Sequence, residues 1–110
     1  MEKIISPETL GNIPVGIPTI TISKRSINFN HAASLTLNLK DGDRFVFVDA
    51  YGALHYKESQ GQDGFKVNLH KRTKTGRAGS HKLYLYLKLE KTTKYTFKEF
   101  KNGMRQLVKL

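Results

Sequence analysis

The sequence contains no cysteine among its 110 residues. Disulfide bonds, thiolate catalysis and cysteine-ligated zinc sites are therefore excluded. The sequence also has no apolar run long enough for a signal peptide or for a membrane-spanning helix. From these absences we expect a soluble protein of the cytoplasm that has no membrane partner.

Motifs that carry catalysis or hold a cofactor are also missing. The segment DGD at 41–43 is too short for a calcium-binding EF-hand loop and is typical of a turn. No phosphate-binding P-loop and no GxSxG nucleophile motif occurs. The sequence has four histidines, namely His31, His55, His70 and His81. Their spacing does not match the HxH or HExxH patterns of metal sites. We expect no enzymatic activity, no cofactor and no metal site.

Acidic residues are scarce in the second part of the chain. Residues 66–110 hold 13 of the 19 lysines and arginines but only two acids, Glu90 and Glu99. The whole chain carries a net charge of +10. Such a lopsided excess favours a polyanionic partner, and we expect DNA or RNA. Two alternatives stay open, namely an acidic protein partner and a charge that serves only solubility.

Proline is confined to the first 18 residues, as Pro7, Pro14 and Pro18. Because proline fixes φ and lacks an N–H donor, we interpret residues 1–17 as an extended arm. Residues 18–110 are predicted to form a single β-rich domain. It divides into a half at 18–58 and a basic half at 59–110. No internal repeat is evident.

Short segments of alternating apolar and polar residues predict a mainly β fold, either a small barrel or a sandwich. The clearest strand is RFVFVD at 44–49, which is expected to form a hairpin with LHYKE at 54–58. One short helix is predicted near residues 30–37, because Asn30 is a good N-cap and helix-tolerant residues follow it.

Two segments of the basic half are harder to interpret. KLYLYLKLE at 82–90 has the strongest period-2 pattern in the chain and predicts a strand with leucines on one face. The C-terminal segment 94–110 is ambiguous. Its apolar spacing fits a helix, whereas Asn-Gly at 102–103 is a strong hairpin turn, and we favour the hairpin.

The segment HKRTKTGRAGSHK at 70–82 is predicted to be a loop that contacts phosphates, because it combines cations with small and hydroxyl residues and has no acid. Its cations are Lys71, Arg72, Lys74, Arg77 and Lys82. On the predicted strand that follows, Tyr84 and Tyr86 would face outward between Lys82 and Lys88. Such a sheet face can stack unpaired bases.

Residues 19–58 resemble the AbrB/SpoVT swapped-hairpin family. The matching pieces are TITIS, KR, NHAASLTLNL, KDGD and RFVFVDAYGALHY. The resemblance implies a barrel made of two interleaved chains, and hence a homodimer. It also implies DNA contacts from Lys24 and Arg25, which follow the first strand. Residues 59–110 have no counterpart in the minimal family module.

Two hypotheses about function follow. The first is a non-enzymatic nucleic-acid-binding protein with low sequence specificity, in which residues 71–82, Lys24 and Arg25 contact phosphates. The second is a structural or assembly protein, of the kind found in phages, whose arm and basic face dock on acidic protein partners.

Overall fold

The computed structural model describes residues 16–59, 61 and 63–110. Most of the arm predicted for residues 1–17 therefore lies outside the described residues. The described part contains nine strands and two short helices. In chain order they are β1 Ile20–Ile22, β2 Ser26–Phe29, α1 His31–Thr36, β3 Arg44–Ala50, β4 Ala53–Glu58, β5 Phe65–Lys66, β6 Asn68–Leu69, β7 Gly76–Gly79, α2 His81–Tyr86, β8 Thr93–Glu99 and β9 Met104–Lys109.

The strands form one antiparallel sheet that curls into a nearly closed barrel. Their order in the sheet is β5-β3-β4-β9-β8-β1-β2-β7-β6. The two strands at the ends of this order, β5 and β6, are separated in the chain by Val67 alone. The two ends of the sheet therefore meet, and strands from both halves of the sequence share one barrel. This confirms the prediction of a small, mainly β barrel.

Apolar side chains from several strands fill the interior of the barrel. Ile20, Ile22 and Ile27 have no exposed surface. Phe29 and Phe45 pack edge to face, with ring centroids 5.2 Å apart. Burying one side chain of this size stabilises a fold by roughly 1.5–3 kcal/mol. This cluster therefore fixes β1, β2 and β3 against one another.

Helix α1 begins where the sequence predicts it. The Asn30 side-chain oxygen accepts a hydrogen bond from the Ala33 N–H at 2.8 Å, which is the N-cap contact. The same oxygen accepts the Thr19 N–H at 3.0 Å, so the cap also ties the helix to the chain before β1. Ala32 and Ala33 are buried, and Ala33 belongs to the core cluster. The short helix predicted near residues 30–37 is confirmed.

The prediction of a strand at 82–90 is wrong, because this segment contains helix α2. Leu83 and Leu87 are four residues apart, so they satisfy a helical spacing as well as a spacing of two. Leu83 is buried and Leu87 packs partly against the core. Leu85 would share their face in a strand, but it is 60 % exposed. The alternating leucines are therefore divided between the two sides of a helix.

The β3–β4 and β8–β9 hairpins each turn through two residues with positive φ. The β3–β4 turn has Tyr51 at 53° and Gly52 at 72°. The β8–β9 turn has Asn102 at 60° and Gly103 at 73°. Two successive residues in this region match the right-handed twist of the strands, which is why Asn-Gly is favoured there. The ambiguous segment 94–110 is thus a hairpin.

The second half of the chain repeats the structure of the first half at an interval of 50 residues. Each half has a strand, a six-residue helix and a β-hairpin. The expectation of no internal repeat is wrong. Only four residues are identical between the two helical segments, which are NHAASLTLNL at 30–39 and SHKLYLYLKL at 80–89. So few shared residues give little signal in the sequence.

The two halves are interleaved about a local two-fold relation. Strand β2 pairs antiparallel with β7, its own counterpart, so that Ser26 lies opposite Gly79 and Phe29 lies opposite Gly76. Strand β1 of the first half pairs with β8 of the second half, and β5 of the second half pairs with β3 of the first half. Each half thus completes the sheet of the other within a single chain.

Candidate nucleic-acid interface

Two exposed basic loops occupy corresponding places in the two halves. One loop, residues 23–25, precedes β2 and carries Lys24 and Arg25. The other loop, residues 70–75, precedes β7 and carries Lys71, Arg72 and Lys74. Because β2 and β7 are antiparallel, the loops lie at opposite ends of this pair of four-residue strands. At about 3.4 Å per residue, roughly 10 Å of sheet separates the two ends.

Each basic loop is held beside the helix of the other half. The Ser80 hydroxyl, just before α2, donates to the Ser23 carbonyl at 2.6 Å. In the other half, Nδ1 of His31 in α1 lies 2.9 Å from the Thr73 carbonyl oxygen. These contacts connect residues 57 and 42 positions apart in the chain. The two-fold relation therefore extends to the placement of the loops.

The loop at 70–75 has a defined backbone. The His70 N–H donates to the Thr75 carbonyl and the Lys74 N–H donates to the His70 carbonyl, both at 2.9 Å. The Thr73 N–H donates to Nδ1 of His70 at 3.2 Å. Residues 70–75 are exposed. Their side chains thus project into solvent from an ordered loop, which lowers the entropy lost when a ligand binds.

The loop predicted at 70–82 is shorter than expected, because only residues 70–75 form it. Arg77 lies on strand β7 and Lys82 lies on helix α2. The alternation of small and large residues in GRAG explains the strand. Gly76 and Ala78 face the core, and Arg77 and Gly79 face solvent. Arg77 is therefore held on a rigid surface between the two basic loops.

A row of three polar side chains crosses this surface. Asn28 of β2 and Asn68 of β6 both pair with Arg77 of β7, one from each side. Residues paired across adjacent strands project from the same face of a sheet. Asn68 and Arg77 are exposed and Asn28 is half-buried. The row places one guanidinium between two carboxamides.

An open cleft of about 480 Å³ lies on this row and reaches the base of the 70–75 loop. Its lining residues are Asn28, Asn68, Leu69, His70, Thr75 and Arg77. Within the part of the chain that the structure describes, no acidic side chain lines it. The nearby Asp41 carboxylate accepts a hydrogen bond from the Leu69 N–H at 2.9 Å, so one of its oxygens is bonded to the backbone. The cleft combines a positive charge with groups that both donate and accept hydrogen bonds.

The aromatic sheet face predicted at 82–90 is wrong, because those residues belong to α2 and the turn after it. Tyr84 packs partly against the core. The Tyr86 hydroxyl donates to Oδ2 of Asp49 at 3.0 Å, and this hydrogen bond raises the pKa of Tyr86. Lys82 and Lys88 are exposed. Lys82 lies in the first turn of α2, two residues after Ser80, whose hydroxyl contacts the 23–25 loop.

Sequence reasoning missed part of this surface. The asparagines of the cleft carry no motif, since only the strand register brings them beside Arg77. Three lysines that were not predicted as site residues, Lys91, Lys94 and Lys109, line two clefts near the start of β8, and the predicted Lys88 lines one of these clefts. Thr93 at the start of β8 pairs with Ile22, which directly precedes the 23–25 loop. The positive charge of these lysines was visible in the sequence, but the position of their clefts near the 23–25 loop was not.

Comparisons with protein-family models, curated proteins and solved structures gave no match to this chain. Within the described residues, no group of three or more His, Cys, Asp or Glu side chains could hold a metal ion. None of the described helices has the length and apolar character needed to cross a bilayer. The geometry of the basic surface is therefore the basis for assigning a function.

Proposed function

We propose that this protein is a non-enzymatic, intracellular nucleic-acid-binding protein with low sequence specificity. The observation that carries the proposal is the placement of two exposed basic loops at opposite ends of the β2–β7 pair, with Arg77 between them. The segments that build this surface contain no Asp or Glu, either in residues 16–40 or in residues 64–89.

The chemistry of this surface matches a phosphate backbone. Six cations project from it, namely Lys24, Arg25, Lys71, Arg72, Lys74 and Arg77. Each phosphate that a cation neutralises releases condensed counterions, and this release supplies most of the free energy of non-specific binding. Contacts with phosphates carry no direct sequence information. Loops of this composition therefore favour affinity over specificity.

We also propose a relationship to the AbrB/SpoVT swapped-hairpin pattern. The exchange of strands between the two halves supports it, because β1 pairs with β8 and β5 pairs with β3. In that pattern two chains interleave, whereas here two halves of one chain do so. A homodimer is therefore not needed to complete this barrel, and the predicted homodimer stays a prediction.

Charge-matched variants test the proposal. Replacing Lys71 and Arg72 with serine removes two positive charges from the 70–75 loop. Replacing Lys57 and Lys98 with serine removes two charges from exposed positions on the hairpin strands β4 and β8. We expect the loop variant to lose roughly tenfold in affinity for nucleic acid, or about 1.4 kcal/mol. The control variant should bind nearly as well as the wild type. Equal losses would overturn the assignment of the loop.

A second candidate function is docking on acidic protein partners during assembly. The observation in its favour is the exposure of Leu85 and Tyr86 at the end of α2, at 60 % and 64 %. Aromatic side chains are enriched at protein interfaces, and contiguous exposed apolar patches mark interaction sites. A large, defined oligomer formed in the absence of nucleic acid, measured by light scattering, would favour this function over the first.

A further inference from the structure

We propose that the cleft lined by Asn28, Asn68 and Arg77 binds one unpaired nucleotide unit, with its base against the carboxamides and its phosphate against the guanidinium. This inference rests on the proposed nucleic-acid binding and specifies which part of the ligand enters the fold. The nucleotide can come from a single strand or can be free in solution, and the experiment below separates these sources.

The side chains of the row have hydrogen-bonding capacity that the fold does not use. Nδ2 of Asn28 donates to the Ser26 hydroxyl at 2.9 Å, which leaves its carbonyl oxygen to accept a hydrogen bond. Among the described residues, no hydrogen bond involves the side chain of Asn68 or the guanidinium of Arg77. A carboxamide offers donors and an acceptor together. These groups complement the edge of a nucleobase, which also carries both.

The positive charge of the cleft favours a ligand that carries a phosphate. The Arg77 guanidinium is the charged group in its lining, and guanidinium groups bind phosphate oxygens through two parallel hydrogen bonds. Lys71 and Arg72 directly follow His70, which closes one end of the cleft. A single-stranded nucleic acid that has one nucleotide bound in the cleft can therefore place its next phosphates along the 70–75 loop.

The size and lining of the cleft also suit a single nucleotide. A volume of about 480 Å³ falls within the range of small-molecule sites. Ligands of the size of one nucleotide fall within this range. Leu69 provides an apolar contact, and the His70 ring, held by its hydrogen bond from the Thr73 N–H, provides a flat surface on which a base can stack.

A bare anion explains this lining less well. A phosphate or sulfate ion would use Arg77 and the loop cations, and it would leave the carboxamides of Asn28 and Asn68 without a role. A base in a duplex already uses its Watson–Crick edge for pairing. The combination of one guanidinium with two carboxamides therefore favours an unpaired base that carries a phosphate.

Binding to single strands and to duplexes tests the proposal with an Asn68→Ala variant. Asn68 is exposed, so its removal leaves the barrel core intact. We expect affinity for a labelled 12-nucleotide single strand to fall about threefold to tenfold, the effect of losing one or two hydrogen bonds. Affinity for the matching duplex should not change. Gln106→Ala is the matched control, because it removes a carboxamide from β9 outside the cleft.

Three results separate the failures of the two proposals. If the Lys71 and Arg72 variant loses affinity, Asn68→Ala binds both ligands like the wild type, and adenosine 5′-monophosphate leaves the side-chain amide signal of Asn68 in place, the cleft assignment is overturned and the proposed function stands. If Asn68→Ala weakens single strand and duplex equally, the cleft is only part of the phosphate surface, and this proposal is also overturned. If the wild-type protein binds neither ligand, the proposed function fails.

Nuclear magnetic resonance with small ligands tests the chemistry of the cleft separately. We expect adenosine 5′-monophosphate to shift the side-chain amide signals of Asn28 and Asn68, and inorganic phosphate to leave them in place. Shifts with the nucleotide, combined with no preference for single strands, would identify free nucleotide as the source of the ligand. Equal shifts with both probes would contradict recognition of a base.

Discussion

Asn38 and Lys88, exactly one repeat interval apart, both adopt the left-handed backbone conformation, with φ of 52° and 54°. Each lies two residues after a six-residue helix, and the N–H of each donates to a carbonyl three residues earlier at 3.1 Å. The two halves of the chain therefore leave their helices in the same way. Asparagine tolerates this conformation, whereas lysine is strained in it.

This difference predicts an asymmetric response to glycine. Lys88→Gly should raise the free energy of unfolding by about 0.5–1 kcal/mol, because glycine adopts positive φ without steric strain. Asn38→Gly is the matched control, and it should change the free energy of unfolding by no more than about 0.3 kcal/mol, because asparagine already tolerates positive φ. Thermal unfolding of both variants measures the difference. If Lys88→Gly lowers the free energy of unfolding, the claim that lysine is strained at this position is wrong.

Two glycines of β7 should respond differently to alanine. A Cβ atom at Gly76 would lie 3.2 Å from a methyl group of Val67 and 3.3 Å from the ring of Phe29. Overpacking of this kind costs roughly 1–3 kcal/mol. At Gly79 the added atom meets no neighbour within 4 Å. Urea denaturation should therefore show a large loss of stability for Gly76→Ala and little change for Gly79→Ala, and equal effects would refute the tight packing at Gly76.

The buried Tyr56 predicts a loss of stability at alkaline pH. Burial, followed by the charges of Glu58 and Asp43, raises its pKa to about 12 from the ordinary value of 10.0. The folded state then holds a proton that the unfolded state has released. The stability that this residue contributes is therefore complete below pH 10 and is lost as the pH rises through about 12.

Tyr56→Phe tests this assignment, because phenylalanine cannot ionise. The variant should lose less stability than the wild type between pH 9 and about 12, as measured by chemical denaturation at each pH. Tyr51→Phe is the control, since the Tyr51 side chain is exposed. Parallel pH dependence in the wild type and Tyr56→Phe would exclude Tyr56 as the cause.

Local signals in the sequence were sufficient for part of the fold. The Asn30 cap, the Asn-Gly turn at 102–103 and the alternation at 44–49 each depend on neighbouring residues, and each appears where it was predicted. Helix α2 was mistaken for a strand because leucines at every second position also satisfy a spacing of four. Local pattern alone could not show which of these leucines reach the core.

The candidate site depended more on long-range pairing. Positive charge in the two loops was evident from the sequence, and so was the basic character of the second half. The cleft could not be predicted from the sequence. Asn28 and Asn68 are 40 residues apart in the chain, and they share one row because each pairs with Arg77 across adjacent strands. The two-fold relation between the loops was also hidden, since the repeated segments share few residues.

The dependence of duplex affinity on salt is the most direct test of nucleic-acid binding by both loops. Six phosphate contacts predict a log–log slope of about −5 between roughly 50 and 200 mM salt. Replacing Lys24 and Arg25 with serine should make the slope less steep by about 2, and so should replacing Lys71 and Arg72. No binding at the lowest salt concentration, or slopes unchanged in both variants, would contradict the account.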